Sequence, residues 1–197
     1  MPKDNVFPVV QPVNSFGKTG DSTTQMPRLD AITHVLLAMS YEHHEIHDGS
    51  HFFYDDAVTL ASAATQDYLL TTPDTTAYCH LVFKATGNAI TQVDFYEATD
   101  KTGTTPQTAY NNNRNSANTP TMTIHKGTSG GTTDGTKLTG IKSGSAQGAS
   151  RLNAEAERDN EIILKRNTKY IIRITSGTND NLTNLSLQWY EHVNKAA

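Results

Sequence analysis

Between Lys169 and Ser176 the chain reads Lys-Tyr-Ile-Ile-Arg-Ile-Thr-Ser, and between Leu182 and His192 it reads Leu-Thr-Asn-Leu-Ser-Leu-Gln-Trp-Tyr-Glu-His, two segments expected as strands. Successive side chains of a strand point to opposite faces. Tyr170, Ile172 and Ile174 therefore share one side of the first segment, as Leu185, Leu187 and Trp189 do in the second. A strand with one apolar side must bury it against another layer, so these two segments alone point to a layered β architecture. The connector Gly177-Thr178-Asn179-Asp180-Asn181 is rich in turn formers, which predicts a hairpin between them.

Similar segments recur from Tyr41 onward, bounded by turn signals at the spacing of a sandwich or jelly roll. They are His43 to His47, closed by Asp48-Gly49; Phe52 to Asp55; Gln66 to Thr72; Tyr78 to Thr86; Ile90 to Ala98; Thr121 to Lys126; Lys137 to Ser143; and Ile162 to Leu164. Residues 1 to 28 differ: Pro2, Pro8, Pro12 and Pro27 stand among Gly, Ser and Thr with neither the helical nor the strand period. The organisation expected is an extended N-terminal arm over 1–28 and a single domain over 29–197, an all-β antiparallel sandwich or jelly roll. Leu29 to Met39 fits one short helix or a first strand. Gly127 to Ser150, with Thr128 to Gly135 at its centre, is predicted to be a mobile loop, and Ala154 to Arg158 a short helix or a turn.

Composition agrees. The hydrophobic share of 36% is low, yet charged residues make up only 18%, so Thr, Ser, Asn and Gly fill the difference. Disordered chains are poor in aromatics and strongly charged; this one has 8 Tyr, 6 Phe and a net charge of only -4. With 16 basic against 20 acidic side chains and no basic run, nothing holds a polyanion, so direct nucleic-acid binding is not expected. The single cysteine, Cys79, lies in an apolar stretch and has no partner for an intrachain disulfide, which fits assembly in a reducing cytoplasm. The start of the chain lacks a signal pattern, and the longest apolar run, Val35 to Met39, is too short for a membrane span.

Motifs for chemistry are incomplete. His43, Glu45 and His47 would share one face of a strand, a geometry a transition metal accepts, but the His-x-His pair and distal ligands of jelly-roll metal sites are out of order. The plainer reading is half-exposed strand histidines bonded to their neighbours, with no metal and no cofactor. Ser62 lacks a nucleophile elbow, so no catalytic residue is expected. Asp55-Asp56, Asp134 and Asp180 read as turn carboxylates rather than a calcium loop. Tyr110-Asn111-Asn112-Asn113-Arg114-Asn115-Ser116 offers amides and one guanidinium able to grip a carboxylate bidentately; the alternative is a loop whose amides satisfy its own backbone.

Taken together, His44 to Gly49 with Phe52-Phe53, Asp67 to Asp74, Tyr110 to Ser116 and Leu187 to His192 resemble small head proteins of tailed phages, several of which are capsid decoration or cement subunits. The resemblance covers roughly Tyr41 to Lys195. It implies a jelly-roll-like domain, a homotrimer seated on three-fold axes of the shell, binding to the major capsid protein on the capsid exterior, and stabilisation of the expanded shell without catalysis. The residues expected to contact sibling or capsid subunits are Phe7, Arg28, Tyr110, Asn113 and Arg114. The alternatives are a virion module that binds a receptor glycan and, behind it, a metal-dependent enzyme using His43 and His47.

Overall fold

Tyr170, Ile172 and Ile174 reach the same interior as Leu185, Leu187 and Trp189, but from opposite walls. The computed structural model describes residues 41–144, 152–155 and 161–193. Sheet I holds β1 (His51–Leu60), β3 (Ala77–Gly87), β6 (Tyr110–Asn111), β9 (Leu152–Glu155), β10 (Ile162–Ile163) and β12 (Asn181–Val193). Sheet II holds β2 (Thr65–Thr71), β4 (Thr91–Glu97), β5 (Thr102–Gln107), β7 (Thr123–Ser129), β8 (Thr136–Ser143) and β11 (Lys169–Ser176). Sheet I runs β10-β3-β12-β1-β6, with β9 also on β3, and sheet II runs β5-β7-β2-β11-β4-β8. The strand pairs are antiparallel. From β1 to β4 the chain changes sheet at every step, and the two sheets pack as a jelly-roll-like sandwich.

The core follows from alternation. Phe52 and Tyr54 of β1, Cys79, Leu81 and Phe83 of β3, and Leu185, Leu187 and Trp189 of β12 meet Tyr68 and Leu70, Val93 and Phe95, and Tyr170, Ile172 and Ile174 of sheet II. Ring pairs carry much of it: Phe52 with Trp189 at 5.8 Å, Phe83 with Phe95 at 5.4 Å, and Phe95 stacked on Tyr170 at 5.5 Å. Such pairs add about 0.5–1.5 kcal/mol each beyond the area they bury.

Four expectations are corrected. The link from β11 to β12 is no hairpin, because the strands belong to different sheets. Fully buried Asn181 donates to Ile90 O, Thr91 Oγ1 and Ser176 Oγ, and its own oxygen accepts from Ala89 N. Those bonds hold the crossing where a hairpin ladder would have been. Next, the predicted strand His43 to His47 is a helix, α1 (Tyr41–Asp48). Gly49 at φ +72° ends it: Gly49 N bonds Ile46 O and Ser50 N bonds Glu45 O, a Schellman stop in which the αL residue needs no Cβ.

The predicted mobile loop is largely built as well. β7 extends to Ser129 and β8 begins at Thr136, and between them Asp100 accepts the backbone N–H groups of Thr132 and Thr133. Gly135, at φ +92°, closes against Glu97 O, where a Cβ would collide. Leu152–Glu155 is a strand on β3 rather than part of a helix or turn. The arm over 1–28, its boundary with the domain, the segment Leu29 to Met39, residues 145–150 and residues 156–158 lie outside the described residues. Among the described residues no helix is long and apolar enough to cross a membrane.

Candidate interaction surface

Tyr110 and Asn111 pair with Phe53 and Phe52 of β1, which fixes the start of the Asn-rich segment on the edge of sheet I. The amides that follow are mostly spent on their own surroundings. Asn111 is buried and donates to Gly49 O at 2.7 Å and Asn118 O at 3.2 Å, Asn112 N donates to His51 O, and Asn113 Nδ2 donates to His47 O. Asn118 Nδ2 also reaches Gly49 O. The segment is thus stapled to the helix stop and the first residue of β1. Of the three expected contact residues here, Asn113 is occupied: its side-chain oxygen also accepts from Asn115 N.

Tyr110 and Arg114 are different. Tyr110 is 49% exposed, its ring lies 6.0 Å from that of Phe53, and the Arg114 guanidinium stands over it at 5.2 Å. Arg114 makes no hydrogen bond or ion pair among the described residues, so its fork of donors faces outward on a rigid base. Phe7 and Arg28 lie outside the described residues.

Sequence reasoning missed a second feature beside this one. Asp55 and Asp56 are strand residues of β1, not turn carboxylates, and alternation sends them to opposite faces. Asp56 accepts from Tyr68 Oη at 2.7 Å and pairs with Lys126 Nζ at 2.6 Å. Burial, then the bond to Asp56, pushes the Tyr68 hydroxyl pKa up. Asp55 is exposed and has no hydrogen-bond or ion-pair partner among the described residues. It borders two hollows, one lined also by Ala57, Lys84, Thr86, Asn184 and Ser186, the other by Phe53, Tyr54, Pro106, Gln107 and Tyr110. The period-two pattern of Phe52 to Asp55 contained this signal, but only the register of β1 against β12 reveals its neighbours.

At its other end the outer face of sheet I is closed by a column of rings. His51, Tyr190 and His80 stand in register on β1, β12 and β3; His80 stacks on Tyr190 at 4.5 Å, and His192 lies 4.5 Å from His80. Tyr190 Oη donates to both Glu161 oxygens at 3.0 and 2.9 Å, and His80 Nδ1 lies 3.0 Å from Glu161 Oε1. Burial lowers the His51 pKa, with the Glu45 charge pulling the other way.

The other sequence motifs find structural roles. His43 and His47, one helical turn apart, bring their Nε2 atoms to 3.0 Å, while buried Glu45 takes a hydrogen bond from Ser50 Oγ instead of joining them. The metal-binding strand face is therefore not formed. Among the described residues no three His, Cys, Asp or Glu side chains converge so as to hold a metal ion. Ser62 sits in the turn after β1, its N–H bonded to Asn179 Oδ1. Burial, with a smaller push from Glu191, raises the Cys79 thiol to about 12, so it stays protonated. No family model matches the chain, and no curated protein or solved structure does.

Proposed function

We propose that this chain is a non-enzymatic subunit of a tailed-phage particle, a capsid decoration or cement protein that binds the outer surface of the major capsid protein lattice as a homotrimer. The observation that carries the reading is the Arg114–Tyr110 pair: an unpaired guanidinium and a half-exposed aromatic ring on an edge held by at least four amide-to-backbone bonds. Tyr and Arg dominate the energetics of protein interfaces when rigidly presented, and the rigid base lowers the ordering cost on binding. The jelly-roll-like sandwich and the sequence resemblance support the same assignment. A modest contact repeated over a lattice sums to a large stabilisation of the shell.

The test uses expanded shells assembled with and without the full chain, challenged by heat and osmotic shock. Shells carrying the protein should survive better, and Arg114→Ala should lower occupancy while shifting the stability of the free protein by less than about 0.5 kcal/mol. Equal survival of bare and decorated shells removes the cement role.

A further inference from the structure

Two backbone bonds fix the directions in which β1 offers its hydrogen-bonding groups. Asn112 N donates to His51 O at 2.9 Å on the β6 side, and Glu191 N donates to Ser50 O at 3.0 Å on the β12 side. In an antiparallel ladder that direction alternates along the strand, so odd-numbered residues of β1 face β6 and even-numbered ones face β12. Val58 O, which takes the Thr183 hydroxyl of β12, agrees. β12 covers β1 from His51 to Leu60, but β6 covers only Phe52 and Phe53. Beyond Phe53 the N–H and C=O groups of Asp55, Ala57 and Thr59 therefore point to an edge that no strand among the described residues pairs. Residues 54–60 hold no Lys and no Pro, and their register against β12 runs without a bulge, so the usual protections of a strand edge are missing.

This edge is complementary to itself. When a second β1 is laid antiparallel along it with Ala57 across from its own copy, Asp55 falls across from Thr59, Asp56 from Val58 and Tyr54 from Leu60. Asp55 is exposed, only accepts, and has no hydrogen-bond or ion-pair partner among the described residues; Thr59 is exposed on the same outer face, and its hydroxyl donates. Directly opposed Cβ atoms stand about 5 Å apart, within reach of that bond, which forms once on each side of the axis. Ala57, exposed and small, leaves the axis unobstructed. The limits coincide as well: β1 of the second copy ends at Leu60, level with Tyr54, one residue short of the position where β6 covers the edge. On the inner side Asp56 brings no unpaired charge, since Lys126 and Tyr68 hold it. We infer that the β1 edge is an interface between two copies of this chain, joined about a two-fold axis at Ala57 into one continuous sheet by about six backbone hydrogen bonds. The inference goes beyond the cement reading: it is a contact in twos, additional to the homotrimer, and on a shell it links neighbouring trimers. An edge this short buries less than the roughly 1,600 Å² of a standard interface, so the pair is weak in solution and gains from repetition on a lattice.

The experiment uses the full chain in solution, without shells. Ala57→Cys places two thiols across the axis with Cα atoms about 5.5 Å apart, a spacing a disulfide accepts, while the chain's own Cys79 is buried. Oxidation should give a covalent pair on a non-reducing gel where the parent gives none, and this readout is the same whether or not trimers also form. Sedimentation at high micromolar concentration then reads the register. Thr59→Asp sets two carboxylates opposite each other and should weaken pairing about fivefold, whereas Thr59→Lys sets an ammonium against Asp55 and should strengthen it about threefold. Ala57→Pro removes an N–H that points to the open edge, so circular dichroism should show an intact fold while pairing falls about tenfold. The inference is overturned if Ala57→Cys stays unlinked, if the two Thr59 variants fail to move the affinity in opposite directions, or if pairing survives in folded Ala57→Pro. Decoration of shells by Ala57→Pro, measured in parallel, reports on the cement role separately: that variant should still bind shells, because Arg114 and not this edge carries the contact.

Discussion

Arg173 closes a two-bond fork on Asp67, Nε to Oδ1 at 2.7 Å and Nη2 to Oδ2 at 2.9 Å, across a directly paired position of β11 and β2. The same guanidinium holds Asp134 through Nη1 at 2.7 Å and Nη2 at 2.9 Å, and it lies 5.5 Å over the Tyr96 ring. Asp94 faces it from β4 and pairs with Lys137. Asp134 comes from the connection between β7 and β8, so one side chain pins that turn to the outer face of sheet II. Replacing Arg173 by Met leaves buried Asp67 without its cation, while Asp94 keeps Lys137. Breaking a buried pair from one side costs about 3 kcal/mol, and the urea midpoint should fall accordingly. Arg173→Lys keeps the charge and loses the fork, so it should fall between the two. A Met variant as stable as the parent would remove this network from the account of stability.

Glu191 ties the start of β7 to the last strand. Its carboxylate accepts the N–H groups of Thr121 and Met122 and the indole N–H of Trp189, each at 3.0 Å. Glu191→Ala removes the acceptor of these three N–H groups and of the Thr121 hydroxyl, for a loss of about 2–3 kcal/mol. Hydrogen exchange should accelerate at Thr121 and Met122 well before the core amides of β11 respond. Uniform acceleration would mean that the carboxylate supports the whole fold, not this junction.

His51 and two carboxylates, Asp134 and Asp100, set the acid limb of stability, Asp100 being held down by the backbone N–H groups of Thr132 and Thr133. Burial depresses the His51 pKa below 6.5, so just below that pH the unfolded chain binds a proton that the folded chain refuses, and stability falls as pH falls. Asp134 is held down to about 2 chiefly by its bonds from Arg173; its contribution is whole above 3.8 and is lost between 3.8 and about 2. Denaturation midpoints against pH should therefore show two separate declines. Asp134→Asn should shrink the lower one and leave the upper, and His51→Gln should flatten the upper and leave the lower. An upper decline unchanged in His51→Gln would assign it to another histidine.

Alternation made the layers legible: Lys169 to Ser176 was delimited to the residue, and the inward faces of β11 and β12 followed from Tyr170, Ile172, Ile174, Leu185, Leu187 and Trp189. Pairing was less legible, because a hairpin and a crossing between sheets use the same turn residues, and only the burial of Asn181 separates them. Asp48-Gly49 misled for a related reason: the αL residue that turns a hairpin also stops a helix. In Thr128 to Gly135 the glycines supply left-handed backbone rather than slack. Thr102–Gln107 escaped notice because its few contacts with the interior leave no apolar alternation, and Pro106 is tolerated on an edge strand. Of the interaction surface, Tyr110 and Arg114 were readable as residue types. Asp55 was not, since its significance depends on which strand lies beside β1.

Asn181 offers the sharpest test of the crossing between the sheets. It is fully buried and uses its amide on Ile90 O, Thr91 Oγ1 and Ser176 Oγ while its oxygen takes Ala89 N, so every bond ends on the β3–β4 connection, the start of β4 or the end of β11. Asn181→Ala leaves the half-buried Ala89 N–H without its acceptor and takes the amide from Thr91 Oγ1 and Ser176 Oγ, while Ile90 O keeps Gly177 N; it should cost about 1–3 kcal/mol. Asn181→Asp keeps the shape and the acceptor, but the acid loses the donors and, when ionised, adds a buried charge; it should be at least as damaging near neutral pH and recover on acidification. Exchange at Ala89 should rise in the Ala variant and stay slow in the Asp variant, which still has the accepting oxygen. If Asn181→Leu were as stable as the parent, the crossing would depend on apolar packing alone, and the amide would have no part in choosing between hairpin and crossover.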